Sequence, residues 1–184
     1  IASLAVIAIA YGYFDARNYK SGPITTERDV TGPQREIAFV SNGMSGTVSL
    51  IDITNAKLIK AINIIPDGRK VGFFRDPHQA LYGQGLIEGQ AGLNFSQDTD
   101  VSPDGRVLYV ARGHLGDVAA FDIASGQLMW RVPVPGIRAD HMTISKDGFS
   151  LYVSAMTANE VIVVDTRTGT RVGQFETGVW PHDN

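Results

Sequence analysis

Past residue 35 the chain reads as short runs of Val, Ile, Tyr, Phe and Thr, each closed by a cluster of Gly, Pro, Asp, Asn or Ser. Such runs are the signature of strands with one or both faces buried. They predict strands at about Asp98–Ser102, Arg106–Ala111, Asp117–Ile123 and Gln127–Val134, and again at His141–Ser145, Phe149–Ser154, Glu160–Thr166 and Thr170–Glu176. A weaker set lies upstream, at about Glu36–Ser41, Thr47–Ile53 and Leu58–Ile64. No helical period follows residue 20.

The two complete sets are copies of one another. Ser102, Tyr109, Asp122 and Gly126 recur as Ser145, Tyr152, Asp165 and Gly169 at a constant offset of 43 residues. The turns recur with them. Ser102-Pro103-Asp104-Gly105 and Ser145-Lys146-Asp147-Gly148 join the first two strands of each set, and Asp122 to Gly126 and Asp165 to Gly169 join the last two. Each turn carries an Asp that can bond to its own backbone and a Gly for the backbone angle that other residues resist. Phe39-Val40, Gly46 and Asp52-Ile53 match Tyr109-Val110, Gly116 and Asp122-Ile123 at an offset of 70, which leaves 27 extra residues between the first and second units. A fixed period of this size built from antiparallel meanders predicts the four-stranded blades of a β-propeller, an all-β fold. The expected blades are residues 34–64, 94–136 and 137–178, with an insertion at 65–93 and the start of a further blade at 179–184. The first unit supplies only the second to fourth strands. Seven such blades would take about 300 residues, so the ring does not close with these units and the chain reads as part of a longer protein.

Leu108-Tyr109-Val110-Ala111-Arg112 after SPDGR, Leu151-Tyr152-Val153-Ser154-Ala155 after SKDGF, and the V-x-x-x-D-x-x-[ST]-G that follows each resemble the YVTN family of β-propellers. The resemblance covers about residues 34 to 184. Ala-Arg and Ser-Ala stand where the family name has Thr-Asn. The resemblance implies an extracytoplasmic binding or scaffold propeller. Similar propellers also include metal-dependent lactone hydrolases and the haem-binding domain of a periplasmic nitrite reductase, which is the alternative reading.

The first residues agree with an extracytoplasmic setting. Ile1 to Phe14 is an uncharged apolar run ending at Asp15, Arg17 and Lys20. As a helix it measures about 21 Å, short of the ~30 Å hydrocarbon core of a bilayer. It reads as an apolar helix, residues 1–18, that is either a membrane anchor or the remnant of a secretory signal with Ala8-Ile9-Ala10 as a cleavage site. Residues 19–33 read as a linker. Of 184 residues, 43% are hydrophobic and 19% charged, with a net charge of -3, values of an ordinary globular domain. Without a basic cluster to neutralise phosphates, a nucleic-acid partner is not expected. With no cysteine, thiol nucleophiles and thiolate metal sites are excluded. The expected partners are a protein or a membrane complex, with the membrane reached through the N-terminal segment.

Candidate chemistry gathers where the innermost strands begin. Gln97-Asp98, Asp140-His141 and His182-Asp183 enter three successive units, so an acid is expected at one level in each and a histidine beside two of them. Asp98, Asp140, His141, His182 and Asp183 are therefore channel or ligand-binding candidates. Such a set can cap backbone groups at blade junctions, and it can also hold a divalent cation, a haem iron or a polar ligand. In the insertion, Asp76 and His78 follow Phe73-Phe74 and precede a glycine-rich run; a long loop on a rigid scaffold is a second place to look. No residue stands out as catalytic and no cofactor is favoured. His114 is expected to be a solvent-exposed loop residue. Trp130 and Trp180 are expected to bury their rings on an outer strand and at a blade junction.

Overall fold

The computed structural model describes residues 36–69 and 93–183. The apolar segment 1–18, the linker 19–33 and most of the insertion, including Asp76 and His78, lie outside the described residues. None of the described residues forms a helix long and apolar enough to cross a membrane.

Among the described residues, eleven strands form three antiparallel meanders, and consecutive meanders pack face to face in the manner of propeller blades. The first has three strands, β1 (Ile37–Asn42), β2 (Thr47–Asp52) and β3 (Lys57–Asn63). The second has four: β4 (Asp98–Val101), β5 (Val107–Arg112), β6 (Asp117–Asp122) and β7 (Leu128–Pro133). The third repeats it with β8 (Ala139–Ile144), β9 (Ser150–Ala155), β10 (Glu160–Asp165) and β11 (Thr170–Glu176).

The turn chemistry explains the hairpins. The Ser102 hydroxyl donates to Asp104 Oδ1 at 2.6 Å and accepts the Val107 N–H at 2.9 Å, and Ser145 repeats both bonds with Asp147 and Ser150. Gly105 and Gly148 turn the chain at positive φ. These bonds hold both Asp104 and Asp147 below the usual carboxylate range. A single 3₁₀ turn that pattern reading did not anticipate joins β1 to β2 (Gly43–Ser45), β5 to β6 (Gly113–Leu115) and β9 to β10 (Met156–Ala158). Each ends in a left-handed residue, Gly46, Gly116 or Asn159.

Two apolar cores fill the spaces between blades. Val48, Leu50, Ile62 and Ile64 of the first blade meet Leu108, Val110, Ala119 and Phe121 of the second. Tyr109, Ala111, Val118 and Ala120, on the opposite face of that same second sheet, meet Leu151, Val153, Ile162 and Val164 of the third. Strand side chains alternate between faces, so β5 and β6 are apolar nearly throughout because both their faces are covered. Polar locks reinforce the apolar contact. The Lys60 ammonium, buried on β3, donates to the carbonyls of Ile123 and Ala124 in the β6–β7 turn. Trp130 on β7 tilts against Tyr109 and donates its indole N–H to the Thr166 carbonyl of the third blade at 3.0 Å. Trp180, by contrast, remains 39% exposed.

Candidate functional site

The innermost strands are positioned by the chain that leads into them. In the second blade the Asn94 N–H donates to Nδ1 of His114 at 2.8 Å, and the His114 N–H returns a bond to the Asn94 carbonyl at the same length. In the third, the Ile137 N–H donates to the Thr157 hydroxyl at 2.9 Å. Asn94 and Ile137, and His114 and Thr157, are 43 residues apart, so the side chain of the 3₁₀ turn performs one task in both blades: it catches the incoming strand. His114 is therefore 3% exposed and structural, not the solvent-exposed loop residue expected from its place in a turn. Burial first, and the nearby Arg138 charge second, push it down to about 4.

The strands then meet edge to edge. Asp98 Oδ2 accepts the Met142 N–H and Asp100 Oδ2 accepts the Ile144 N–H, both at 2.9 Å. Alternate side chains of β4 thus serve as acceptors for the open edge of β8, whose ladder would otherwise end there. The ladder between β8 and β9 is itself irregular between Ala139 and Met142. A bulge of this kind re-aims the side chains within it, and here those are Asp140 and His141.

The predicted candidates are distributed as follows. Asp140 is fully buried, with neither carboxylate oxygen in a hydrogen bond of good geometry. Its Oδ2 lies 3.4 Å from Nε of Arg138 and its Oδ1 3.7 Å from Nε2 of His141, while the Gln97 amide lies alongside. Burial pushes the Asp140 carboxyl above the usual range, opposed by Arg138, His182 and His141. His141 is half-buried, with Nδ1 3.5 Å from Asp98 Oδ2 and its ring 4.7 Å from that of His182, centre to centre. The His141 N–H donates to the His182 carbonyl. One ligand atom from each of Asp140, His141 and His182 falls within 4.8 Å of the others. Asp98 stands one step back from that triad, and Asp183 is exposed on the last described residues. The acids are staggered in depth: Asp98 corresponds at 43 residues to His141, while Asp140 corresponds to Gln97 and Asp183.

Two arginines escaped the pattern reading. Arg138 is fully buried, and among the described residues none of its three guanidinium nitrogens has a hydrogen-bond acceptor of good geometry. Arg112, also fully buried, grips Asp117 through two bonds of 2.7 and 2.8 Å and reaches Asp67 and the Ile64 carbonyl at 3.0 Å each. Arg69 adds an ion pair to Asp117, so this network ties the first residues of the insertion to the second blade. The available signal was the failure of repetition, since Asn42 and Ala155 occupy the positions equivalent to Arg112.

No protein-family model matches the chain. No curated protein matches it either. Among solved structures it is similar to hydrazine synthase of Kuenenia stuttgartiensis, at 22% identity and a TM-score of 0.59 over 90% of this chain. The chain spans 42% of the length of that hydrazine synthase chain. It is also similar to the β-propeller domain of Cps50 (Swd1) from Myceliophteria thermophila, at 18% identity and a TM-score of 0.44, over 48% of this chain and 28% of that one. At such identities the likeness to hydrazine synthase concerns the fold, a propeller-like stack of antiparallel blades.

Proposed function

We propose that the chain belongs to an extracytoplasmic β-propeller of the YVTN-repeat kind, of seven blades and tethered to the membrane, that acts as a binding or scaffold subunit. One observation carries this reading. What the blades repeat is turn and core, whereas Asp98, His141 and His182, which do not repeat, collect with the buried Asp140 at the entry to the inner strands. A rigid scaffold with one distinctive polar patch is the design of a binding module. A second reading, a propeller enzyme or redox subunit that uses those same groups, is favoured by the approach of two imidazoles to a buried carboxylate. Hydrazine synthase, similar in fold, is by name an enzyme.

Fractionation and cross-linking of the full-length protein test the first reading. It expects a membrane-associated protein, open to protease from the outside, in a complex with a partner at fixed stoichiometry. A free cytoplasmic monomer overturns it, and turnover of a substrate by that monomer would favour the second.

A further inference from the structure

We propose that Asp140, His141 and His182 form a binding site for a divalent transition metal ion, with Asp98 and Arg138 holding the first two ligands in place. The inference holds whether the propeller is a scaffold or an enzyme.

The case begins with His141, whose two ring nitrogens each face a carboxylate. Nδ1 of His141 lies 3.5 Å from Asp98 Oδ2, which is itself fixed by the Met142 N–H. A histidine that holds a metal through Nε2 is commonly oriented by a carboxylate at Nδ1, the place Asp98 takes here. Nε2 then faces Asp140 Oδ1 across 3.7 Å. The sequence carboxylate, imidazole, metal is the usual way in which a ligating histidine is oriented.

Asp140 supports the same arrangement from its own side. Its carboxylate is divided: Oδ2 is turned to Arg138 at 3.4 Å and Oδ1 to the histidines. Both oxygens are buried, and among the described residues Arg138 and the Gln97 amide lie beside them without a hydrogen bond of good geometry, which leaves room for a further partner. Two carboxyl groups, Asp98 and Asp140, stand against the single guanidinium of Arg138, a balance that favours a cation.

Geometry and ligand type select the ion. In a tetrahedral site with bonds of about 2.0–2.1 Å, neighbouring ligand atoms stand about 3.4 Å apart. The three ligand atoms here lie within 4.8 Å of one another, and His182 is exposed, so a small swing of its ring closes the triad. Two imidazoles and one carboxylate suit Zn²⁺, Co²⁺ or Ni²⁺ and are a poor match for Ca²⁺ or Mg²⁺, which take oxygen ligands. The fourth position is left to water or to an exogenous ligand.

Titration of untagged, chelator-treated full-length protein with Zn²⁺ by calorimetry, and with Co²⁺ by visible absorption, tests the site. One equivalent of each is expected to bind, with Co²⁺ giving the intense bands of a tetrahedral complex. His182→Ala should weaken Zn²⁺ binding at least 10-fold, and Asp98→Asn about 10-fold with unchanged stoichiometry. His182 is exposed, so its removal should leave the metal-free thermal midpoint and circular dichroism unchanged. Zn²⁺ binding that His182→Ala does not weaken, or no saturable binding at all, overturns the proposal. Either result leaves the association with a partner subunit, and hence the scaffold reading, to be judged by its own experiment.

Discussion

Burial and the Arg138 charge hold the His114 ring neutral down to about pH 4, whereas an imidazole in an unfolded chain titrates near 6.5. The folded-state value lies below the unfolded one, so the unfolded chain binds the extra proton between those limits. Stability is then full above about pH 6.5, is lost as the pH falls toward 4, and suffers no further loss from this group below that. The span corresponds to about 3 kcal/mol. Replacing His114 by Gln, whose amide can still accept the Asn94 N–H but does not titrate, is expected to flatten this part of the curve. Urea denaturation of both proteins at a series of pH values between 4 and 7 is the measurement; equal slopes in the two would show that His114 is not the group responsible. His114 also shows why single residues were the hardest thing to read from the sequence. A histidine in a turn looks solvated, and only the packing of Asn94 from the preceding connection over Gly113 and His114 removes it from water. A β-carbon on Gly113 would stand 2.6 Å from the Asn94 carbonyl, which is how closely that connection lies on the turn.

At the scale of strands, legibility was high where the physics is local. The Ser-x-Asp-Gly and Asp-x-x-x-Gly turns set their own hydrogen bonds within a few residues, and the strands between them begin and end where those bonds require. Relations between strands of different blades were not legible, because they depend on which edge meets which. Asp98 and Asp100 illustrate this: their spacing of two said that they share a face of β4, and nothing in it said that the face lies against the amides of β8. The two bonds give separable consequences. Asp100→Ala should destabilise the protein by about 1–3 kcal/mol, the cost of leaving a buried backbone N–H without its acceptor. It should also raise hydrogen exchange at the Ile144 amide, while Met142, still held by Asp98, keeps its protection. Exchange rising equally at both positions would mean that the inner strand opens as one piece, not bond by bond. The bulge at Asp140 and His141 was likewise invisible in the pattern, although the same two residues were singled out by their chemistry.

At the scale of the molecule, the period of 43 residues was enough to recognise stacked blades, because a structural repeat must bury the same face against each neighbour. The polar ties between blades were outside its reach, since they are the positions at which copies differ. Lys60 reaches the turn of the following blade, Arg112 grips the residues leaving the preceding one, and Trp130 bonds to Thr166. The last of these gives the protein an optical gauge. Its half-buried indole sits between the second and third blades, with Gly169 so close that an added β-carbon would stand 2.5 Å from the ring, while Trp180, the other tryptophan, is exposed. Separation of those two blades would wet Trp130 before any strand of either meander had come apart. In a Trp180→Phe background, fluorescence should therefore shift to longer wavelength at a lower denaturant concentration than that at which far-ultraviolet dichroism is lost. Coincident transitions would instead identify the blade stack as a single cooperative unit.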